Sequence, residues 1–375
     1  MHKNQKSREH HGKIASIVGI VANIFLAAGK IVVGALFGLI SVLADGLNNL
    51  TDCGSSIVSL VSFKISSKPA DKEHPYGHER IEYVASLAVS FVILLIAFEL
   101  LKESITKIIS PQAFNFSIVV IITLIVSIAV KLAMFIYYRT VAKQINSDLL
   151  KATSIDSLSD CISTSAVLIS VIISHFAKIN IEAYAGVLVS LFIAIAGFKI
   201  LKEMVSKLIG QAPDKALFDS VKTMIMKHKD VLGIHDLNIY SYGPNKYFAS
   251  VHIEIDANTD SLVAHELVDE IEREFLSKTN IVLTGHHDPV VTNDEEVLEM
   301  RDKVAQIVKE IDETFSIHDF RMVKGPNKTN VIFDVAIPFD SDKTEAEITK
   351  TLKKKIAEID KKYQPVIIIE KQMYI

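Results

Sequence analysis

The chain has 375 residues, of which 49% are hydrophobic and 22% charged, with a formal net charge of -4. That length holds two or three domains, and the composition is uneven: apolar runs fill Ile14 to about Lys207, whereas the chain from Pro213 onward is charged and reads as soluble. The two cysteines, Cys53 and Cys161, both fall in apolar runs and imply no disulfide framework; the near-neutral charge says little about partners, and no nucleic acid is expected among them.

Six runs approach the roughly 20 apolar residues that a hydrocarbon core requires of a helix: Ile14 to Phe37, Leu39 to Ile65, Ile81 to Leu101, Phe114 to Tyr138, Leu149 to Ser174 and Ile181 to Val205. The first is too long, and too poorly followed by small residues, for a cleaved signal peptide. The reading is a polytopic α-helical membrane protein with six transmembrane helices in the lipid bilayer. Basic residues cluster before the first run ("KNQKSREHHGK"), between the second and third ("KISSKPADKEHPYGHER"), between the fourth and fifth ("YYRTVAKQ") and after the sixth. The excess of positive charge on one side predicts that both termini are cytoplasmic, with "KESITKIIS" a mild exception.

Polar residues recur inside two of these runs. Asn48 and Asp52 in the second, and Asp156 and Asp160 in the fifth, stand four apart and so share a helix face. An ionised carboxylate near mid-bilayer costs about 3 kcal/mol on insertion scales unless it faces the bundle interior or a partner. Three carboxylates and an amide oxygen that converge would repel one another without a cation between them, and a divalent ion resolves both problems. The competing reading is interhelical hydrogen bonding by protonated acids. Asp45 lies nearer the outer end of its run and about 60° away in azimuth, a weaker candidate. Cys53 and Cys161 point about 100° from the ligands that they follow and read as small packing residues. Lys30, Glu99 and Lys131 also lie within runs; Glu99 and Lys131 could snorkel toward an interface.

The loop "ADKEHPYGHERIE" carries Asp71, His74 and His78 at spacings of three and four, which can set a carboxylate and two imidazoles on one side of a turn. The soluble part then repeats itself: "IHDLNIYSYGPNKYFASVHIEID" from 234 is echoed by "IHDFRMVKGPNKTNVIFDVAIPFD" from 317. Each copy has an amphipathic helix before it (about 214 to 230; 294 to 314), another after it (260 to 277; 343 to 362), and a short apolar strand at its end. Turn residues between alternating runs predict a hairpin, hence a small α+β domain present twice. The first copy holds His235, His252, His265, His286 and Asp288, whose imidazole and carboxylate donors suit zinc or another transition metal. The second keeps His318 but has Asp334 where the first has His252, and no match for His286. It is expected to retain the fold and to have lost most of the chemistry.

Together the six runs, the paired ligands in the second and fifth, the "PADKEHPYGHER" loop and the "IHD…GPNKYFASVHIEID…GHHDP" segment resemble the cation diffusion facilitator family over about residues 12 to 290. The resemblance implies a homodimeric exporter of divalent metal driven by proton exchange, in the cell membrane, with a metallochaperone-like (ferredoxin-like) cytoplasmic domain. It implies a transport site of Asn48, Asp52, Asp156 and Asp160, a loop site of Asp71, His74 and His78, and a cytoplasmic site of His235, His252, His286 and Asp288 with His265 nearby. Zinc-transporting members usually have a histidine where this chain has Asp156, and the Asn/Asp/Asp/Asp set resembles the manganese-exporting bacterial branch. An all-oxygen set suits Mn2+ better than Zn2+ on ligand grounds as well. The expected domains are a basic segment at 1–13, the transmembrane domain at 14–210, a cytoplasmic α+β copy at 211–290 and a degenerate second copy at 291–375, which shorter family members lack.

Two other classes compete. A membrane-anchored metal sensor would use the histidines but has no need of four polar ligands inside two spans. A metallohydrolase, suggested by "GHHDP", needs an open coordination position and a water-activating base, and neither can be picked out, so no enzyme is expected. Within transport, Zn2+, iron, cobalt or cadmium is the alternative cargo.

Overall fold

In the computed structural model the described backbone comprises residues 2–37, 40–110, 118–177 and 182–372. Asp45 and Asn48 lie outside the residues whose side chains are described. The chain divides into two compact units, Met1–Gln211 with Ser241–Lys246, and Ala212–Tyr240 with Tyr247–Ile375.

The first unit is built from α1 (His2–Phe37), α2 (Ile40–Ser66), α3 (Ile81–Ile109), α4 (Ile118–Ile145), α5 (Asp148–Ala177) and α6 (Glu182–Ile209). Several helices outrun the apolar segments because charged residues continue the helix in i,i+4 pairs, Glu9 with Lys13 on α1 and Glu103 with Lys107 (2.9 Å) on α3. Among the described residues, 8–33, 81–109, 118–145 and 183–209 are helical stretches long and apolar enough to cross a membrane.

The radial distribution of residues fits a lipid solvent. Phe25, Leu95, Phe98, Leu188 and Ile195 face outward, while Ser56, Ser59, Ser62, Ser86, Ser90, Ser127 and Ser157 are buried between helices. Small hydroxyl residues let helix backbones approach where lipid tails supply no hydrophobic drive. Helix α1 packs on α2, α3 on α6 and α4 on α5. Contact between α1 and α4 needs a glycine at position 19, where a β-carbon would fall 1.6 Å from the Tyr138 hydroxyl. Buried charge also ties helix ends together: Arg8 pairs with the fully buried Glu82 and donates to the Ile145 carbonyl (2.8 Å), while Ser147 donates to Glu82 (2.6 Å).

The second unit holds α7 (Lys215–Ile225), most of β1 (Gly233–Gly243) and of β2 (Lys246–Asp256), α8 (Ser261–Lys278) and β3 (Ile281–Val290). There follow α9 (Glu295–Ile311), β4 (Ser316–Lys324), β5 (Thr329–Pro338), α10 (Glu345–Ile359) and β6 (Tyr363–Gln372). Each copy is therefore helix, hairpin, helix, strand, with a sheet ordered β1-β2-β3 or β4-β5-β6. The last strand of each sheet runs parallel to the middle one, a pairing that needs a crossover, supplied by α8 and α10. Their starts are fixed by Asp260, which caps Leu262, and by a capping box of Thr344 with Glu347. Apolar faces such as Ala264, Val268, Ile271 and Phe275 on α8, and Ile348, Leu352 and Ile356 on α10, close separate cores over the two sheets.

Candidate metal centres

Within the helical unit, α2 and α5 bring Asp52 and Asp156 together as buried groups with the partly buried Asp160. The ammonium of Lys131, from α4, lies between them: its Nζ donates to Asp52 Oδ2 (2.8 Å) and Asp160 Oδ2 (2.6 Å). Lys131 is only 3% exposed, so it does not snorkel to an interface as the sequence alone allowed. Its stem, midway along a helix with carboxylates one helix away, finds counter-charge nearer than water. Ser55 Oγ donates to Asp156 Oδ2 (3.3 Å). With its amide oriented to satisfy both contacts, Asn49 donates to Asp52 (3.2 Å) and accepts from Lys30 (2.7 Å). Glu99 is exposed on α3. Cys53 and Cys161 are buried, their thiols directed at the Asn49 and Ile128 carbonyls (3.7 and 4.0 Å), as packing residues would be.

Between α2 and α3, Asp71, His74 and His78 converge so that one ligand atom from each lies within 4.8 Å of the others. The Asp71 carboxylate accepts from the backbone N–H groups of Glu73 and His74 (3.0 and 2.7 Å), which fold the loop about it. The His74 backbone bond, aided by the two imidazoles, holds that carboxyl below its ordinary pKa. The His78 side chain is turned inward, with Nε2 3.4 Å from Asp71, while His74 stays exposed.

In the first α+β copy, parallel register sets His252 beside His286. Alternation along β3 places Asp288 on the same side as His286. Asp288 receives three imidazoles: His235 Nε2 and His252 Nδ1 at 2.9 Å, and His286 Nδ1 at 2.6 Å. His235 Nε2 is buried and makes no bond of hydrogen-bond geometry despite that distance, an orientation suited to sharing an ion with the carboxylate. Burial opposes the His235 imidazolium, but Asp236, Asp288 and Glu254 together raise its pKa above the usual value. His265 stands apart: it is exposed on α8, one residue beyond Ala264 and hence off the face that covers the sheet.

Contrary to expectation, the second copy also gathers ligand types. His318, Asp334 and Glu370 bring one ligand atom each within 4.8 Å, and His318 does the same with His235 and Asp236 of the first copy. Equivalent aspartates, Asp236 and Asp319, both adopt the left-handed backbone region (φ 52° and 50°), just beyond the paired histidines. Burial and neighbouring carboxylates push Asp334 up to about 6 and Glu370 up to about 7.

The cation efflux transmembrane domain family matches residues 16–209, and the cation efflux protein cytoplasmic domain family matches residues 213–290. The chain belongs to the cation diffusion facilitator family. It is similar to an uncharacterized transporter of Methanocaldococcus jannaschii, 30% identical over 275 residues that make up 73% of this chain and 97% of that protein. The manganese efflux system protein MneS of Bacillus subtilis is 29% identical over 262 residues, 70% of this chain and 90% of its own. The cation-efflux pump FieF of Klebsiella pneumoniae is 25% identical over 288 residues, 75% and 95% of the two chains. As a cation diffusion facilitator this chain is a membrane transporter of divalent cations rather than an enzyme.

Sequence reasoning missed Asn49, which stands at the equally compatible i+3 spacing from Asp52, and it left Lys131 without a role. It also missed Glu370, although Glu370 follows Asp288 by the same interval as Asp334 follows His252.

Proposed function

We propose that this cation diffusion facilitator exports Mn2+ from the cytoplasm in exchange for protons, as a homodimer in the cell membrane. Six spans, with both termini cytoplasmic, would comprise 14–210; a basic segment at 1–13 precedes them, and two cytoplasmic copies, 211–290 and 291–375, follow. The observation that carries the reading is the meeting of Asp52 and Asp160 on a buried cation, the ammonium of Lys131, with the Asp156 carboxylate buried among the same helices. A place that holds one positive group among carboxylates is a place where a metal ion can exchange for it. With Asn48 as a fourth oxygen donor the site has no nitrogen or sulfur ligand, which favours Mn2+ over Zn2+. The similarity to MneS supports the same metal.

Export then consists of four steps on these residues. Metal arriving from the cytoplasmic side displaces the Lys131 ammonium from Asp52 and Asp160. The carboxylates replace part of its water shell, and rocking of the helices opens the site outward. Protons arriving from outside compete for the same oxygens, because ligating carboxylates must be deprotonated, and release the ion. Asp71, His74 and His78 form a loop site at the cytoplasmic end. His235, His252, His286 and Asp288 form a site whose occupancy biases the dimer only as far as metal binds its two states differently. The test is metal-dependent transport in proteoliposomes, Mn2+ against Zn2+, for the native chain and for Asn48→His with Asp156→His. Preference for Mn2+ in the native chain, shifted toward Zn2+ by the histidines, is the expected result. Equal or faster native Zn2+ transport would leave the family function intact and overturn the choice of metal.

A further inference from the structure

The second copy lies beyond the segment that matches the cytoplasmic-domain family, yet its sheet repeats the ligand positions of the first. His318 corresponds to His235, Asp334 to His252 and Glu370 to Asp288. The two sets face each other within one compact unit: the His235 and His318 rings are 4.6 Å apart. His318 Nε2 lies 3.3 Å from Glu370 and 3.5 Å from Asp236, and Gln372 Nε2, near the end of β6, donates to Asp236 (3.0 Å).

Asp334 is the decisive group. It is 9% exposed, and among the described residues its carboxylate accepts no hydrogen bond and makes no ion pair. Its free oxygen is nevertheless within 4.8 Å of the ligand atoms of His318 and Glu370. A carboxylate so little exposed and without a hydrogen-bond donor is costly, and here it converges with a second carboxylate and an imidazole, a donor set that a cation among them would satisfy. We propose that His318, Asp334 and Glu370, closed by Asp236 from the first copy, form a second cytoplasmic divalent-cation site, contiguous with the one at Asp288. Asp236 is the shared wall, with Oδ2 3.4 Å from His235 and Oδ1 3.5 Å from His318.

The chemistry of the pair is asymmetric. The first copy offers three imidazoles and one carboxylate, the second one imidazole and up to three carboxylates. Oxygen-rich donors suit Mn2+, whereas imidazole suits Zn2+ and its neighbours. The second site is thus the oxygen-preferring partner of a nitrogen-preferring one, built inside a single chain from a duplicated domain. It does not depend on the transmembrane assignment, and the measurement below reads it whether or not the protein transports.

The experiment is equilibrium dialysis of the full-length protein in detergent against Mn2+, with bound metal counted per chain, in an Asp52→Asn, Asp160→Asn background that removes the transmembrane contribution. Asp334→Asn with Glu370→Gln is expected to lose about one Mn2+ per chain. A separate Asp288→Asn variant is expected to lose a different ion, so that combining the variants adds the losses. Asp334→His restores the first copy's ligand and guards against a variant that simply fails to fold; it is expected to keep the ion and to move the preference from Mn2+ toward Zn2+. Unchanged stoichiometry in Asp334→Asn with Glu370→Gln overturns the proposal, leaving a hydrogen-bonded acid cluster. Loss of one and the same ion in that variant and in Asp288→Asn overturns it too, because the two sites would then be one. So does an Asp334→His variant with unaltered metal preference.

Discussion

The membrane cluster gathers several carboxylates and the cytoplasmic cluster centres on one, and they balance charge differently. Around Asp52 and Asp160 the balance comes from a fixed ammonium on another helix, Lys131, at 2.8 and 2.6 Å. Around Asp288 it comes from three imidazoles, those of His235, His252 and His286, at 2.9, 2.9 and 2.6 Å. Far from water, a carboxylate cannot be left to bulk solvent, so its counter-charge has to be built in. Near water, neighbouring imidazoles suffice, and imidazole is a donor type that suits softer metals.

The comparison can be broken most sharply at the membrane site. Asp52→Asn or Asp160→Asn is expected to cut Mn2+ transport in proteoliposomes by about 100-fold or more, beyond the roughly 10–100-fold typical of groups that only support a ligand. Transport near the native rate in either variant would show that the convergence around Lys131 is structural. Lys131→Met tests the fixed counter-charge. Stranding the buried Asp52 and the partly buried Asp160 should cost about 3–5 kcal/mol, read as a lower melting temperature in detergent that added Mn2+ restores, and a melting temperature unmoved by the substitution would mean that the pair contributes nothing net. In the cytoplasmic cluster, Asp288→Asn removes a proposed ligand and should weaken metal binding there by about 100-fold or more, beyond the range of groups that only support a ligand, while leaving transport running. Abolished transport would instead make the soluble cluster an obligatory station. Smallest of all, Thr344→Ala removes the capping box of α10 and should cost about 1 kcal/mol in chemical denaturation, with metal binding at Asp288 unchanged.

Much of the architecture was legible because it rests on periodicity. The apolar runs gave the helices to within a few turns, and the duplicated Gly-Pro-Asn-Lys hairpin gave both sheets. The facing of Asp52 with Asp156 and Asp160 followed from i,i+4 spacing plus the cost of an acid in lipid. What sequence could not supply was the identity of the group across the helix gap. A lone lysine in an apolar run looks the same whether it reaches lipid headgroups or a carboxylate, and only packing of α4 against α5 separates the two. The same holds for Arg8 and Glu82, paired across 74 residues of chain. His265 shows the converse: grouped with the other histidines by sequence, it is exposed on α8, whose other face is spent on the core. Glu370 was hidden for a different reason, since a carboxylate near a chain end looks like ordinary surface until the repeat is aligned through to its last strand.

The two α+β copies are joined by the short stretch between Val290 and Glu295, and their histidines meet within one unit. A pairing of that kind has an effective concentration set by its tether rather than by how much protein is present. Dilution that separates one chain from another leaves it untouched, so the facing of the copies persists at any expression level.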